Sequence, residues 1–341
     1  MITLAGWRSL LRATGFFCSR RPIRTRFPQK KPPDYNAGKN SMTCLRWLSI
    51  PVFILIACQQ TVAADAALIE RGRYLFIAAG CASCHTRDVA LAGGKPLETP
   101  FGTFFPPNIS PDITWGIGAW SEADFQRALQ AGVSPQGEHY YPAFPYTSYT
   151  RLTRADVRAL YAYLMSQKPV ARAAPDHDLP WLLSSRKLLG LWKAWYFVPG
   201  SYPYDPAHPA DWNRGAYLAQ ALGHCGECHT PRDLLGGPRE NRYLAGTRHG
   251  PEGRLVPNIT QDRETGIGQW SPAEQRDFLR SGRLPDGTYT GPLMVEVLGS
   301  STMSLTAADR QALATYLQSL PPVHHDIHYR FDPFADRQLR E

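Results

Sequence analysis

Cys81-Ala82-Ser83-Cys84-His85 and Cys225-Gly226-Glu227-Cys228-His229 lie 144 residues apart, and the sequence around each follows one plan. Arg71-Gly72-Arg73-Tyr74-Leu75 returns as Arg214-Gly215-Ala216-Tyr217-Leu218, at an offset of 143. Pro107-Asn108-Ile109-Ser110 matches Pro257-Asn258-Ile259-Thr260, and Gly116-Ile117-Gly118-Ala119-Trp120-Ser121 matches Gly266-Ile267-Gly268-Gln269-Trp270-Ser271, both at 150. Leu152-Thr153-Arg154-Ala155-Asp156 matches Leu305-Thr306-Ala307-Ala308-Asp309 at 153. The same elements in the same order, separated by small insertions, mark an internal duplication.

A Cys-x-x-Cys pair by itself fits a redox dithiol or half of a zinc site. Neither requires His directly after the second Cys, and neither predicts that pattern twice in matching surroundings. Covalent haem attachment requires the His, and a duplicated haem-binding unit accounts for its recurrence. Of seven cysteines four belong to these motifs. The others, Cys18, Cys44 and Cys58, precede the first copy, so none is left for a disulfide within the duplicated part. The reading is therefore two covalently bound haem c groups, held through Cys81 and Cys84 and through Cys225 and Cys228. His85 and His229 are then the proximal ligands of the two irons.

Each copy reads as helices. A first helix runs about Ala66–Ala79 and Trp212–Leu222, ending at the motif, and a Pro/Gly-rich loop that wraps the haem follows it. A short helix starts at Ser121 or Ser271, both good N-caps. The last helix opens with Thr153 or Thr306 and an acid three residues on, a capping-box-like start. It continues with Val157, Leu160, Tyr161 and Leu164, or with Leu313, Tyr316 and Leu317, at helical spacing. No strand-like alternation stands out. A unit this small buries little apolar surface, and a covalently held haem supplies the missing mass. Between the copies, residues 170–211 form a connector rich in Pro and Trp. Its apolar run from Leu182 to Val198 reads as a helix packed across both copies, or as a docking surface for a partner or a membrane.

The second axial ligand decides what each iron does, and methionine suits electron transfer. In the second copy Met294 and Met303 are the candidates. The offset of 150 selects Met294, in the loop before the last helix, with Met303 as the fallback and core filler as the alternative for Met294. In the first copy the same position is Phe144, which has no lone pair for iron. Met165 falls inside the last helix, and His139 is the nearest nitrogen donor in the loop. Haem 1 is thus five-coordinate or takes another ligand. Asn108 and Asn258, with Trp120 and Trp270, recur at matched positions. Their side-chain donors suit haem propionates, although tight-loop structure accounts for the Asn and core packing for the Trp equally well.

The formal charge of +8 is carried by the leader. Residues 1–41 hold nine Lys/Arg against one Asp, Arg46 adds one more, and the remaining 277 residues stand at −1. A nearly neutral folded part implies no nucleic-acid partner. Met42 to Ala64 reads as an export signal, with an apolar stretch from Leu48 to Cys58 and a cleavage site at Val62-Ala63-Ala64. Leu55-Ile56-Ala57-Cys58 also fits a lipoprotein box that would put a lipid on Cys58. Residues 1–41 read as an upstream extension. The three histidines of the tail, His324, His325 and His328, read as part of a solvated segment.

The combination Arg-Gly-x-Tyr-Leu, Cys-x-x-Cys-His-Thr, Pro-Asn-Ile-[Ser/Thr], Gly-Ile-Gly-x-Trp-Ser and Leu-Thr-x-Ala-Asp resembles the multihaem cytochrome c subunits of bacterial membrane-associated dehydrogenases. These serve quinoprotein alcohol dehydrogenases and the gluconate or sorbitol flavodehydrogenases. The resemblance covers about residues 66–320. It implies an electron carrier of the periplasm, soluble or membrane-anchored, that accepts electrons from a dehydrogenase subunit and passes them to a quinone, a cytochrome or an oxidase. Two features depart from the family: its subunits carry three haems where this chain has two motifs, and the family methionine of the first copy is Phe144. The expected fold is all-α, with two tandem class I-type cytochrome c domains joined by a long connector. Its parts are a basic extension plus export signal (1–64), domain 1 (65–169), the connector (170–211), domain 2 (212–322) and a polar tail (323–341). The competing function is a dihaem oxidoreductase, acting on thiosulfate or peroxide through an open haem 1, with a ligand-binding sensor as a third reading.

Overall fold

The computed structural model describes residues 65–327. The export signal, Cys58, His328 and the end of the tail lie outside them. The described part is all-α apart from one small hairpin. Helix α1 covers residues 65–78 and α2 is the first motif, Cys81–His85. Strands β1 (Leu97–Thr99) and β2 (Gly102–Phe104) pair antiparallel. Then come α3 (Glu122–Ala131), α4 (Tyr146–Tyr149), α5 (Arg154–Met165) and, in the connector, α6 (Leu189–Tyr196). The second copy supplies α7 (Ala210–Tyr217), which runs on through a wide π turn at Leu218–Leu222, and α8 (Gly226–His229). It ends with α9 (Pro272–Ser281), α10 (Pro292–Ser300) and α11 (Ala307–Gln318).

The repeated motifs have a common structural cause. In each copy the first helix crosses the last at a glycine. A Cβ on Gly72 would sit 1.9 Å from the Ala159 carbonyl oxygen, and one on Gly215 1.9 Å from that of Ala312. With the backbones this close, the arginine before each glycine reaches the acid at the head of the last helix. Arg71 donates to Asp156 at 2.9 and 2.6 Å, and Arg214 to Asp309 at 2.8 and 2.7 Å. The tyrosine after the glycine turns the other way. Tyr217 donates to Asp156 and Tyr74 to Asp309, each at 2.6 Å, so each copy's tyrosine binds the other copy's acid. Leu75 and Leu218, the last residues of the motif, are buried in one continuous apolar cluster drawn from both copies.

Capping follows the sequence with one difference. Ser121 with Asp124, and Ser271 with Glu274, form complete capping boxes on α3 and α9. Thr153 and Thr306 cap α5 and α11 by accepting from the backbone N–H of Asp156 and Asp309. Their acids do not close the box, because the carboxylates are taken up by arginine and tyrosine. The hairpin has strands too short for alternation to show in sequence, and residue Asp178 of the connector bonds to it at Thr103. The last increase in offset, from 150 to 153, falls before the last helix, where nine-residue α10 stands in place of four-residue α4.

The connector touches both copies. Lys193 on α6 donates to the carbonyls of Ala131 and Gly132. On the other side, Trp192 Nε1 donates to the Leu235 carbonyl at 2.9 Å and Tyr196 Oη to Asp233 at 2.8 Å. The helix is shorter than the apolar run, and its outer face, with Leu191 and Trp195, is exposed.

Tyr217→Phe removes a buried hydrogen bond to a carboxylate and should lower unfolding free energy by roughly 1–3 kcal/mol, read from chemical denaturation of the haem-loaded protein. Burial raises the Asp309 carboxyl, but the bonds from Arg214 and Tyr74 outweigh it and hold the group below its ordinary value. Its stabilisation is therefore complete above about pH 4, the unfolded value, and is lost as pH falls through the lower native one. Asp309→Asn should flatten that acid limb.

Candidate functional site

One helical turn puts both thiols of each motif on one side, with the histidine directly after them. None of the four cysteines is joined to another in a disulfide. Burial pushes the Cys81 and Cys225 thiols up to about 12, and burial with the neighbouring Glu227 pushes Cys228 up to about 11. A redox dithiol needs the opposite shift, toward thiolate at neutral pH. Among the described residues no three His, Cys, Asp or Glu side chains converge into a metal-holding group.

Both histidines are already set for iron. His85 Nδ1 lies 2.8 Å from the Pro107 carbonyl oxygen, and His229 Nδ1 lies 2.8 Å from that of Pro257. A carbonyl only accepts, so Nδ1 carries the proton and Nε2 keeps its lone pair. This is the second partner that fixes tautomer and ring orientation in a metal-ligating histidine. Burial lowers both imidazoles below their usual value, partly opposed by these bonds, and favours the neutral form that ligates.

The loop carrying each proline is built the same way twice. The His85 carbonyl accepts from Gly93 N–H at 2.9 Å and the His229 carbonyl from Gly246 N–H at 2.7 Å. Thr86 and Thr230, which follow the histidines, accept from the N–H of Leu91 and Leu244. Those two leucines are both left-handed, at φ 64° and 60°. Their carbonyls hold the N–H of Ile109 and Ile259, each at 2.9 Å, which places the preceding prolines against the histidines. The prolines were visible in sequence as part of a repeated tetrapeptide. Their role was not, because it belongs to a backbone oxygen.

The matched asparagines are corrected by the structure. Both are 2% exposed. Asn108 Nδ2 donates to the carbonyls of Val170 and Arg172 at 2.7 and 2.9 Å, and its Oδ1 accepts from Ser110 N–H. Asn258 Nδ2 donates to Val323 O and Thr265 Oγ1, and its Oδ1 accepts from Thr260 N–H. Their donors are committed to loop geometry and are not free for propionates. Trp120 and Trp270 are half-buried. Trp270 stacks edge-on with Phe278, the Trp120 carbonyl accepts from Tyr161 Oη, and neither indole N–H has a partner among the described residues.

Phe144 is half-buried among Tyr140, Tyr149 and Tyr146, with ring centroids 5.6, 5.8 and 6.5 Å away. His139 is turned from it toward the connector, with Nδ1 3.2 Å from Lys193 Nζ. Met294 lies in the first turn of α10, half-buried. Met303 sits in the turn before α11, where its carbonyl accepts from Arg310.

Two thiol pairs, each followed by an oriented and neutral histidine, define a c-type cytochrome with two haem sites. A family model described as cytochrome c matches residues 69–168. The chain is 43% identical over 262 residues to the "Diheme cytochrome c-type" of Cereibacter sphaeroides, covering 74% of this chain and 86% of that protein. It is 44% identical over 258 residues to the fructose dehydrogenase cytochrome subunit of Gluconobacter japonicus, covering 74% of this chain and 52% of that one. It is also 41% identical over 268 residues to the gluconate 2-dehydrogenase cytochrome c subunit of Pantoea cypripedii, covering 75% and 60%. The chain thus spans about half the length of the fructose dehydrogenase subunit. It belongs to this family of c-type cytochromes, and it carries two covalently bound haem c groups.

A pyridine haemochrome assay should return two haems per chain. Replacing both Cys225 and Cys228 by Ala should leave one.

Proposed function

We infer that this chain is a dihaem electron-transfer subunit. It takes electrons from a partner dehydrogenase and passes them to a quinone, cytochrome or oxidase of the respiratory chain. The observation that carries the reading is the complete ligand-orienting unit, motif helix, threonine and proline carbonyl, built twice beside one continuous core. The names of the relatives, cytochrome subunits of fructose, gluconate and alcohol dehydrogenases, supply the class of partner. The organisation proposed is two tandem cytochrome c domains, 65–169 and 212–322, bridged by the connector 170–211. Among the described residues no helix is long and apolar enough to cross a membrane. An export signal ahead of the haem motifs supports a periplasmic location, soluble or held at the membrane through Cys58.

When bound, each haem supplies a one-electron iron couple, and the protein supplies attachment, orientation and the axial donors. Met294 is the distal donor proposed for haem 2, because its position in the repeat is that of Phe144. The indole N–H groups of Trp120 and Trp270 are the donors proposed for the propionates. Haem 1 receives no sulfur from Phe144, and should have a lower potential than a methionine-ligated haem.

Phe144 is also the one feature that favours a second reading, an oxidoreductase acting on thiosulfate or peroxide at an open haem 1. The residues around Phe144 are tyrosine rings and His139 is engaged by Lys193, so among the described residues no carboxylate–histidine pair faces that position. Purified protein should be reduced by a dehydrogenase and reoxidised without turning over thiosulfate or peroxide unaided. Turnover would establish the second reading instead.

Met294→Ala should abolish the weak near-infrared band of methionine-ligated ferric haem. If Met303→Ala abolishes it, the assignment fails. Ferric haem 1 should be partly high-spin and bind cyanide or imidazole, and Phe144→Met should convert it to a low-spin site. Two wild-type haems that are both low-spin and inert to added ligand would show that another residue fills the position.

A further inference from the structure

The residue before the first cysteine is left-handed in both motifs. In the first copy it is Gly80 at φ 62°, in the second His224 at φ 39°. Glycine adopts this backbone freely, whereas a residue with a Cβ is strained there. Strain of this kind persists where the surroundings over-determine it, and it clusters at functional positions.

The surroundings of His224 come from the other copy. Its ring stands edge-on to Tyr149, with centroids 5.6 Å apart at 80°. It is also within polar contact of the Ala79 carbonyl. Tyr149 ends α4, and Ala79 lies two residues before Cys81. A residue peptide-bonded to the attachment point of haem 2 therefore rests on the chain that leads into the attachment point of haem 1.

Further contacts hold the two motifs side by side. Thr147 and Ser148 of α4 donate to Glu227, inside the second motif, at 2.7 and 2.8 Å. In the mirrored direction, Ser301 after α10 lies beside Gly80, and its hydroxyl donates to the Ala78 carbonyl at 3.3 Å. Lys95 and Glu296 form an ion pair between the first copy's loop and α10. Each copy's segment before its last helix thus lies on the other copy's haem motif. Two side chains next to an attachment cysteine make the crossing, Glu227 beside Cys228 and His224 beside Cys225, and of these His224 is the one held in a left-handed backbone.

We propose that His224 is a positioning residue for electron transfer between the two haems, tying the segment that ends in Cys225 to the segment that ends in Cys81. It fixes the separation of the two attachment points and provides a route of direct contacts between them. One electron crosses, one iron is oxidised as the other is reduced, and no bond is made or broken. The proposal rests on the dihaem relay inferred above.

The test is flash reduction of the full dihaem chain by a soluble photoreductant. In the wild type a second phase, independent of protein concentration, should report redistribution between the haems. His224→Gly and His224→Asn both tolerate left-handed backbone and both withdraw the ring from Ala79. Each should keep two haems per chain and both midpoint potentials, so that the driving force is unchanged, while slowing that phase several-fold. Absence of the phase in the wild type would overturn the relay itself. A phase present and unchanged in both variants would overturn the role of His224 alone. Loss of a haem from both variants would make His224 an attachment-site structural residue and overturn it equally.

Discussion

Two carboxylates, Asp156 and Asp309, hold the arrangement on which the rest depends. Each is buried at the head of a closing helix, where it takes a guanidinium from its own copy and a phenol from the other. A buried acid left unpaired would cost several kcal/mol, and one that accepts three good hydrogen bonds recovers that cost while fixing geometry. Removing the glycines would destroy the arrangement as surely as removing the acids. A Cβ at either crossing overlaps a carbonyl oxygen and would push arginine and acid apart.

From that frame the haem sites follow by chain length alone. The first helix of each copy ends one short turn before its motif, and the loop after the histidine is folded back by threonine and a left-handed leucine. The returning strand of chain then delivers a proline carbonyl to Nδ1. The bonds that deliver the proline carbonyl are main-chain and threonine bonds, with no charged side chain among them.

Much of this was legible in sequence. The duplicated pattern located the helices and both Cys-x-x-Cys-His motifs, because covalent attachment demands particular side chains at particular spacing. Arg71, Tyr74 and Asp156 stood out as repeated residues, yet no pattern within one copy could show that the tyrosine binds the acid of the other. Pro107 and Pro257 act through a main-chain oxygen, which any residue possesses. Asn108 and Asn258 suggested propionate donors because their amides were counted as available, and only the fold shows those amides spent on carbonyls from residues 170–172 and 323. The connector was read as a helix packed across both copies or as a docking surface; Lys193 and Tyr196 bind the two copies, and Trp195, 74% exposed, faces outward.

The crossed tyrosines have a wider consequence. Residue i of one half bonds residue j of the other, and j of the first bonds i of the second, which is the signature of a twofold, isologous interface. The chain is in effect a symmetric dimer whose subunits have been spliced end to end, so that assembly no longer depends on concentration. Splicing also lifts a restriction. Identical subunits must carry the same residue at equivalent positions, and any change is made twice. Here Phe144 can face Met294, and Gly80 can face His224, without either half giving up the shared interface. A symmetric scaffold is thereby free to carry different side chains at its two equivalent positions.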